Sequence, residues 1–450
     1  MSATKTLAHR KAEILSIGSE LTSGANLDTN SQWLSRKLAE IGVETGWHST
    51  IPDDQEVNLA SFGLAASRAG LVIISGGLGP TQDDLTRETM AKLAGVDLYH
   101  DEASWQAIQE MFTRRNRVCP ERNRVQALFP KGAEPLPNAN GTAPGIYLVH
   151  KGTILIALPG PPREMELMWK NEVEPRLLKA DLAKLGLGGG FLARRTIRTF
   201  GAGESAVEEK LLDLTKRGAE PEVGITASNA IISLSITARG KTPAEAQSHI
   251  APVEAIIRER LGELVFGSDN DTLQEAVASL LAELKLSVSF AESITCGRTA
   301  SLLGAVPGIS EWLAGSLVVY QAKAKERLLG YPKDLLETED CVGPETAKFL
   351  AKSVRERLGT DIGVAVVGYA GPGDGGPGKP AGLVFAAVDD GTSICSEHTQ
   401  HWHGSRTEIQ HRTALMTLNL LRLRLLARKA ARQNQNSNQS TAPTPYQEVR

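Results

Sequence analysis

Residues Val72–Thr86 read VIISGGLGPTQDDLT. The apolar half fits a short buried strand, and the rest fits a loop leading into a helix from Asp84 to Ala94. In open α/β sheets, ligands bind at the carboxyl ends of strands. Gly76, Gly77 and Gly79 stand at such an end, where a backbone without Cβ atoms can approach a ligand and aim amides at a phosphate. Thr81 belongs to the same loop, and the helix N-terminus that follows favours the same anion. Two acidic side chains there would repel a phosphate unless a cation lies between them. Asp83 and Asp84 therefore suggest a Mg2+-type site using one or two carboxylates. Simple helix capping by one of them is the alternative.

Working outward, AEILSIG (12–18), LVIISGG (71–77) and TILIALPG (153–160) are strand-like, and Asn30–Ile41 is helical. That alternation predicts an α/β domain with a mostly parallel sheet over residues 11–180. Other polar residues converge on the same strand ends. GSELTSG (18–24) offers Glu20, and LDTNSQWL (27–34) offers Asn30, as a helix cap or a ligand contact. LPGPPREM (158–165) offers Arg163 and Glu164, although its prolines alone would stiffen a turn.

LGLGGGF (185–191) reads as a linker. RRTIRTF (194–200), IISLSITARG (231–240) and helices over Glu204–Leu214 and Pro243–Leu261 make a small α+β module, 190–268. The third region, 272–428, opens with an amphipathic helix followed by the strand LSVSFAES (286–293). It continues through the strands DIGVAVVG (361–368) and GLVFAAVDD (382–390). A leucine-rich helix near Thr413–Ala427 closes it, its apolar stripe fitting core packing. Residues 429–450 read as a polar, disordered tail.

A chain of 450 residues is too long for one ordinary core, so two or three domains are expected. Apolar content of 41% and charged content of 22% fit a soluble globular protein. A formal net charge of -3 without a basic cluster disfavours nucleic acid as a partner. No run resembles a signal peptide or is long enough to cross a bilayer. Four cysteines, Cys119, Cys296, Cys341 and Cys395, form no CxxC pair, which suggests a reducing, cytoplasmic setting. HTQHWH (398–403) holds three histidines. Strand alternation separates His398 from the other two, so no metal site is read there.

A second site gathers in the third region. Ser293 sits at a strand-to-helix turn in VSFAESITCGRTASLL, where free amides and a helix dipole could stabilise an oxyanion. The same position suits an ordinary N-cap. A nucleophilic serine needs a base, and no histidine is near. GSLVVYQAKAKERLLG (315–330) supplies Tyr320, Lys323 and Lys325. A lysine serves as base when burial lowers its pKa, whereas both lysines would also fit a solvated helix face. GYAGPGDGGPGKPAG (368–382) is a glycine-rich loop between strands, suited to a phosphate or to a mobile hairpin.

Taken in order, AEILSIGSELTSG, SGGLGPTQDDLT, PERNRVQALFPKGAEPLPNANGTAPG and LPGPPREM resemble the N-terminal domain of the CinA family. That domain is similar to molybdopterin-binding proteins of the MogA/MoaB type. The resemblance implies a nucleotide-diphosphate site that cleaves ADP-ribose to AMP and ribose 5-phosphate, with a divalent metal and K+ as helpers. Glu20, Asn30, Gly76, Gly77, Gly79, Thr81 and Arg163 become the implied nucleotide-binding residues, and Asp83 and Asp84 the metal ligands. Ser19 stands where many relatives carry Asp or Thr, and is left out of the metal set.

AESITCG (291–297), YQAKAK (320–325) and GYAGPGDGGPGKPAG resemble the C-terminal domain of the same family, the PncC-type nicotinamide-nucleotide amidohydrolase. That resemblance implies hydrolysis of nicotinamide mononucleotide to nicotinate mononucleotide and ammonia, without a cofactor. Ser293 is the implied nucleophile, Lys325 the base, with Lys323 left outside, and Tyr320 a third polar partner. Thr295 and Gly297 would shape the oxyanion site. Gly371, Gly373, Gly376, Lys379 and Arg406 would bind substrate, Arg406 alternatively serving the fold itself. Three departures stand out: Cys296 for a glycine, Ala322 for an asparagine, and Gly343 where relatives often have serine. The middle module resembles the family's KH-like segment, a fold that does not by itself establish function.

The combined expectation is an α/β, cytoplasmic, homodimeric, bifunctional enzyme recycling pyridine nucleotides. The rival expectation is a pterin- or nucleotide-binding, competence-associated protein with one or both sites inactive.

Overall fold

The computed structural model describes residues 11–180, 182, 186–187, 191–339, 341–399 and 402–440. The expected linker at 185–191 and the last ten residues of the expected tail lie largely or wholly outside them, as does His401. The chain divides into two compact units. One holds the residues up to Arg194 with Thr237–Ile250, the other Arg195–Ile236 with the residues from Ala251 on. The boundary between the units falls within the stretch 190–268.

The first unit is built on a six-stranded sheet. Its order is Thr45–Ile51, Ala12–Ile17, Leu71–Ser75, Thr153–Leu158, Gly145–His150, Glu134–Leu136. The first four strands are parallel and the last two antiparallel. The central strands are buried along their whole length, as parallel strands covered on both faces must be. Alternation sorts their side chains. Ile14, Ile73 and Ile156 join one core layer with Leu34, Leu38 and Trp169, while Leu15, Val72, Ile74 and Leu155 join the other with Phe62 and Met90. Each fully buried aliphatic side chain contributes about 1.5–3 kcal/mol.

The middle segment forms a four-stranded sheet in the order Glu222–Ser228, Ile231–Gly240, Phe191–Phe200, Val265–Ser268, with a helix over Pro243–Leu261. The second unit carries a five-stranded sheet in the order Leu313–Val318, Val288–Glu292, Ile362–Gly368, Val384–Asp389, Ile394–Thr399. Its first three strands are parallel and its last two antiparallel. Val288, Phe290, Val364 and Val366 pack on one face against Leu281, Leu418 and Leu421. Ala291, Ala365 and Ala387 line the other, their small size admitting the helix Pro344–Leu358. A Cβ on Gly363 would collide with the Ala351 carbonyl of that helix.

The closing helix runs from Arg406 to Ser440, longer at both ends than the leucine stripe predicts. Residues 428–440 contain no proline or glycine to break the helix, which therefore runs on into the stretch expected to be a disordered tail. Among the described residues, no helix is long and apolar enough to cross a membrane. All four cysteines are free thiols.

Candidate active site

The strand Val288–Glu292 lies between parallel neighbours reached in opposite directions along the sheet, Leu313–Val318 and Ile362–Gly368. Such a switch point leaves a crevice at the strand's carboxyl end. Ser293 is the next residue, 7% exposed, its amide bonded to the Val366 carbonyl at 3.0 Å. On the helix Ala322–Leu329, Lys325 turns inward and is 2% exposed, whereas Lys323, two residues earlier, is exposed. Lys325 Nζ donates to Ser293 Oγ at 3.3 Å and to the Tyr320 carbonyl at 3.2 Å. Burial lowers the Lys325 pKa, with Cys341 acting weakly the other way. A desolvated amine beside a hydroxyl is the arrangement a serine–lysine base requires.

The turn after Ser293 is held by a residue to which sequence reasoning gave no role. Glu292 is fully buried. Its carboxylate accepts from Thr295 Oγ1 at 2.6 Å, the Thr299 amide at 3.0 Å, the Ala300 amide at 2.9 Å and Ser316 Oγ at 3.1 Å. Glu292 thereby already occupies the Thr299 and Ala300 amides, which lie inside the helix Arg298–Gly304, and leaves those of Thr295 and Gly297 untouched. Cys296 and Gly297 follow with φ of 50° and 87°, so the cysteine stands in the left-handed region that a glycine would occupy without strain.

Tyr320 makes polar contacts at two points. Its backbone carbonyl holds Lys325, but its hydroxyl, on a ring 49% exposed, takes a bond from Arg406 at 2.6 Å. The other arm of Arg406 donates to the Gly371 carbonyl at 2.7 Å. The guanidinium thus ties the glycine-rich loop to Tyr320. Gly371 and Gly376 adopt φ of 74° and 124°, Gly373 is exposed, and Lys379 closes the loop through backbone bonds with Gly375 and Gly376. A cleft of about 400 Å³ opens beside the turn on Thr295, Cys296, Gly297, Arg298, Gln410 and His411. Burial, with Arg298 and Arg412 nearby, lowers the His411 pKa.

The first unit has its own cleft, about 370 Å³, again at a switch point, beside the end of Ala12–Ile17. Glu20, Gly76, Gly77, Gly79, Asp83 and Asp84 line it as expected, joined by Asp53, Gln126 and Glu164. Thr81, Asn30 and Arg163 are not in the lining. Asn30 neither caps its helix nor faces the cleft. Asp28 is the cap, and Asn30 Nδ2 bridges Ser75 Oγ at 2.9 Å and the Gly160 carbonyl at 2.7 Å. Arg163 is exposed.

The glycine loop also departs from expectation. Asp84 accepts from the Gly79 amide at 2.7 Å, the Thr81 amide at 2.9 Å and Thr81 Oγ1 at 2.5 Å. These donors turn inward and are lost to a phosphate. Arg87, fully buried with its pKa pulled down by burial to about 10, donates to the Leu78 and Gly79 carbonyls. Asp84 and Arg87 therefore shape the loop, while the amides of Gly77 and Leu78 have no protein acceptor among the described residues. Asp83 is exposed, and the nearby Thr81 lowers its pKa.

Among the described residues no three His, Cys, Asp or Glu side chains are grouped to hold an ion. The cleft instead offers separate carboxylates, Asp83, Glu20 and Asp53. That donor set fits Mg2+, which takes one or two carboxylates and completes its shell with water and substrate phosphate. Asp53 also pairs with Ser19, accepting from its amide at 2.7 Å, a contact across 34 residues that no local motif reveals.

Comparison with known proteins gives three adjoining matches. Residues 13–179 match the family described as "Probable molybdopterin binding domain". Residues 194–267 match the damage-inducible protein CinA KH domain, and residues 270–425 the CinA C-terminal domain. The chain is 39% identical over 416 residues to a CinA-like protein of Dictyoglomus thermophilum, covering 92% of this chain and 99% of that one. A CinA-like protein of Kosmotoga olearia gives the same identity and shares. Among solved structures, the protein CinA with unknown function from Thermoplasma acidophilum is 32% identical, covers 38% of this chain and 99% of that one, and superposes with a TM-score of 0.35.

Proposed function

This chain belongs to the CinA family, and on that premise we propose that its C-terminal domain is a serine–lysine amidohydrolase acting on nicotinamide mononucleotide. The observation that carries this reading is the 3.3 Å contact between the buried Lys325 amine and Ser293 Oγ. No carboxylate pairs with that amine among the described residues. Lys325, neutral, takes the proton as Ser293 Oγ attacks the carboxamide carbon. The same proton passes to the departing nitrogen, releasing ammonia and leaving an ester on Ser293. Water, deprotonated by Lys325, then hydrolyses the ester to nicotinate mononucleotide. Arg406 and the loop through Gly371, Gly373, Gly376 and Lys379 supply positive charge and amides for the substrate phosphate.

For the N-terminal domain we propose metal-dependent hydrolysis of the pyrophosphate link of ADP-ribose, giving AMP and ribose 5-phosphate. Asp83, with Glu20 or Asp53, would hold a divalent ion, whose chemistry is to neutralise charge on the phosphates. The Gly77 and Leu78 amides would face a phosphate oxygen. A binding-only role for this cleft is the second reading, favoured by the commitment of Asp84 to the loop.

The test incubates the purified protein with each nucleotide and measures ammonia and AMP. Ser293→Ala should lower ammonia release by about 10³-fold or more while leaving AMP formation unchanged. Ammonia release unaffected in that variant would sink the amidase reading.

A further inference from the structure

A buried amide without an acceptor is rare, because the lost hydrogen bond to water goes unreplaced. The turn after Ser293 contains two, and a third unpaired amide on the partly exposed Gly297. The amides of Cys296, Arg298 and Ser301 bond to turn carbonyls, and those of Thr299 and Ala300 to Glu292. Among the described residues, those of Ile294, Thr295 and Gly297 have no acceptor. Ile294 and Thr295 are each 2% exposed, so solvent does not compensate them freely.

Two side chains produce this pattern. Glu292 fills the start of the short helix Arg298–Gly304 with its own negative charge, so that end cannot also take a substrate anion. Gln410, on the helix that closes the chain, donates from Nε2 to the Ile294 carbonyl at 2.9 Å, across 116 residues. In a trans peptide the carbonyl and the next N–H point in opposite directions. Fixing the Ile294 carbonyl on Gln410 therefore fixes the Thr295 N–H pointing away from it. Thr295 Oγ1, bonded to Glu292, holds the other side of the same residue.

We infer that Glu292 and Gln410 are positioning residues of the amidase, leaving the Thr295 N–H, with that of Gly297, for the oxyanion of the tetrahedral intermediate. This rests on the serine–lysine reading above. Neither side chain touches the reacting atoms. Their effect passes through the peptide that they orient, and it belongs to the transition state more than to substrate binding.

Two measurements test it. Gln410→Leu removes the donor at similar size. It should lower kcat with nicotinamide mononucleotide by roughly tenfold to a hundredfold, with KM within about twofold, since the oxyanion donor is displaced but not deleted. Gln410→Arg, which can still donate to the Ile294 carbonyl, should recover part of that loss. A lower melting temperature with kcat unchanged, or a rise in KM alone, would overturn the inference.

The second measurement needs no substrate. A small alkyl phosphonofluoridate joins Ser293 Oγ to phosphorus as fluoride leaves and Lys325 takes the hydroxyl proton. A crystal structure of that adduct should place the phosphonyl oxygen on the Thr295 and Gly297 amides. Placement on Thr299 and Ala300, with Glu292 displaced, overturns the inference but keeps the serine–lysine pair. Failure of the probe to label Ser293, together with no ammonia from the wild-type protein, overturns both.

Discussion

At the scale of single residues, Lys325 and Cys296 each carry a cost that can be measured. Burial lowers the Lys325 pKa from 10.5, so the folded protein releases this proton at a lower pH than the unfolded chain. Between the two pKa values the unfolded state binds more protons, and stability rises with pH there. Below the folded pKa the whole penalty is present. Lys325→Met should therefore raise the melting temperature at pH 7, with a gain that fades as the pH approaches 10.5, while kcat falls by about 10³-fold or more. A gain independent of pH would refute a buried amine as its source. For the wild type, amidase kcat should climb with pH through the lowered Lys325 pKa, as a base must lose its proton to act. Cys296 at φ 50° stores left-handed strain of about 1–2 kcal/mol. Part of this is offset by the backbone entropy that glycine adds to the unfolded chain. Cys296→Gly should stabilise the protein by about 0.5–1 kcal/mol in denaturant titration, and an unchanged midpoint would count against the strain.

At the scale of elements, the two glycine-bearing turns obey one rule: an inward-turned acidic side chain takes the amides that a bare loop would offer a ligand. Asp84 does so in the first unit and Glu292 in the second. Asp84→Ala removes three accepted bonds and should destabilise the first unit by about 1–3 kcal/mol, besides lowering any ADP-ribose cleavage. Asp83→Asn, at an exposed carboxylate, should lower cleavage without that loss, read by thermal melting beside AMP release. These inward carboxylates were not legible in the sequence. In GGLGPTQDDLT either aspartate suits a cap or a metal, and only the folded curl of the loop assigns Asp84 to Gly79 and Thr81. The strand ends and the serine turn were legible, since apolar runs stopping at glycine or serine announce them. The choice of Lys325 came from the motif alignment, and the inward face of its helix agrees with it. The strand Leu313–Val318 escaped because an edge strand is half exposed and its LAGSLV pattern scarcely alternates. Gln410 and Asp53 escaped because their partners lie 116 and 34 residues away.

At the scale of the whole molecule, the sequence order foretold an α/β chain with a sheet at each end, and both sheets place their clefts at switch points. Three family matches follow one another between residues 13 and 425, while compactness divides the chain into two units. That division lies beyond composition, because it depends on which residues of the middle segment pack together. Two clefts with separate residues predict separable chemistry. Ser293→Ala should abolish ammonia release alone and Asp83→Asn AMP release alone, and loss of both in one folded variant would contradict independent sites. The central claim is that Ser293 carries the acyl group. Acid-quenching the protein during turnover of nicotinamide mononucleotide, followed by peptide mass mapping, tests it most directly. The account predicts a nicotinate mononucleotide ester on Ser293 that is absent from Ser293→Ala. Ammonia released at the full rate with no ester on Ser293 would contradict it.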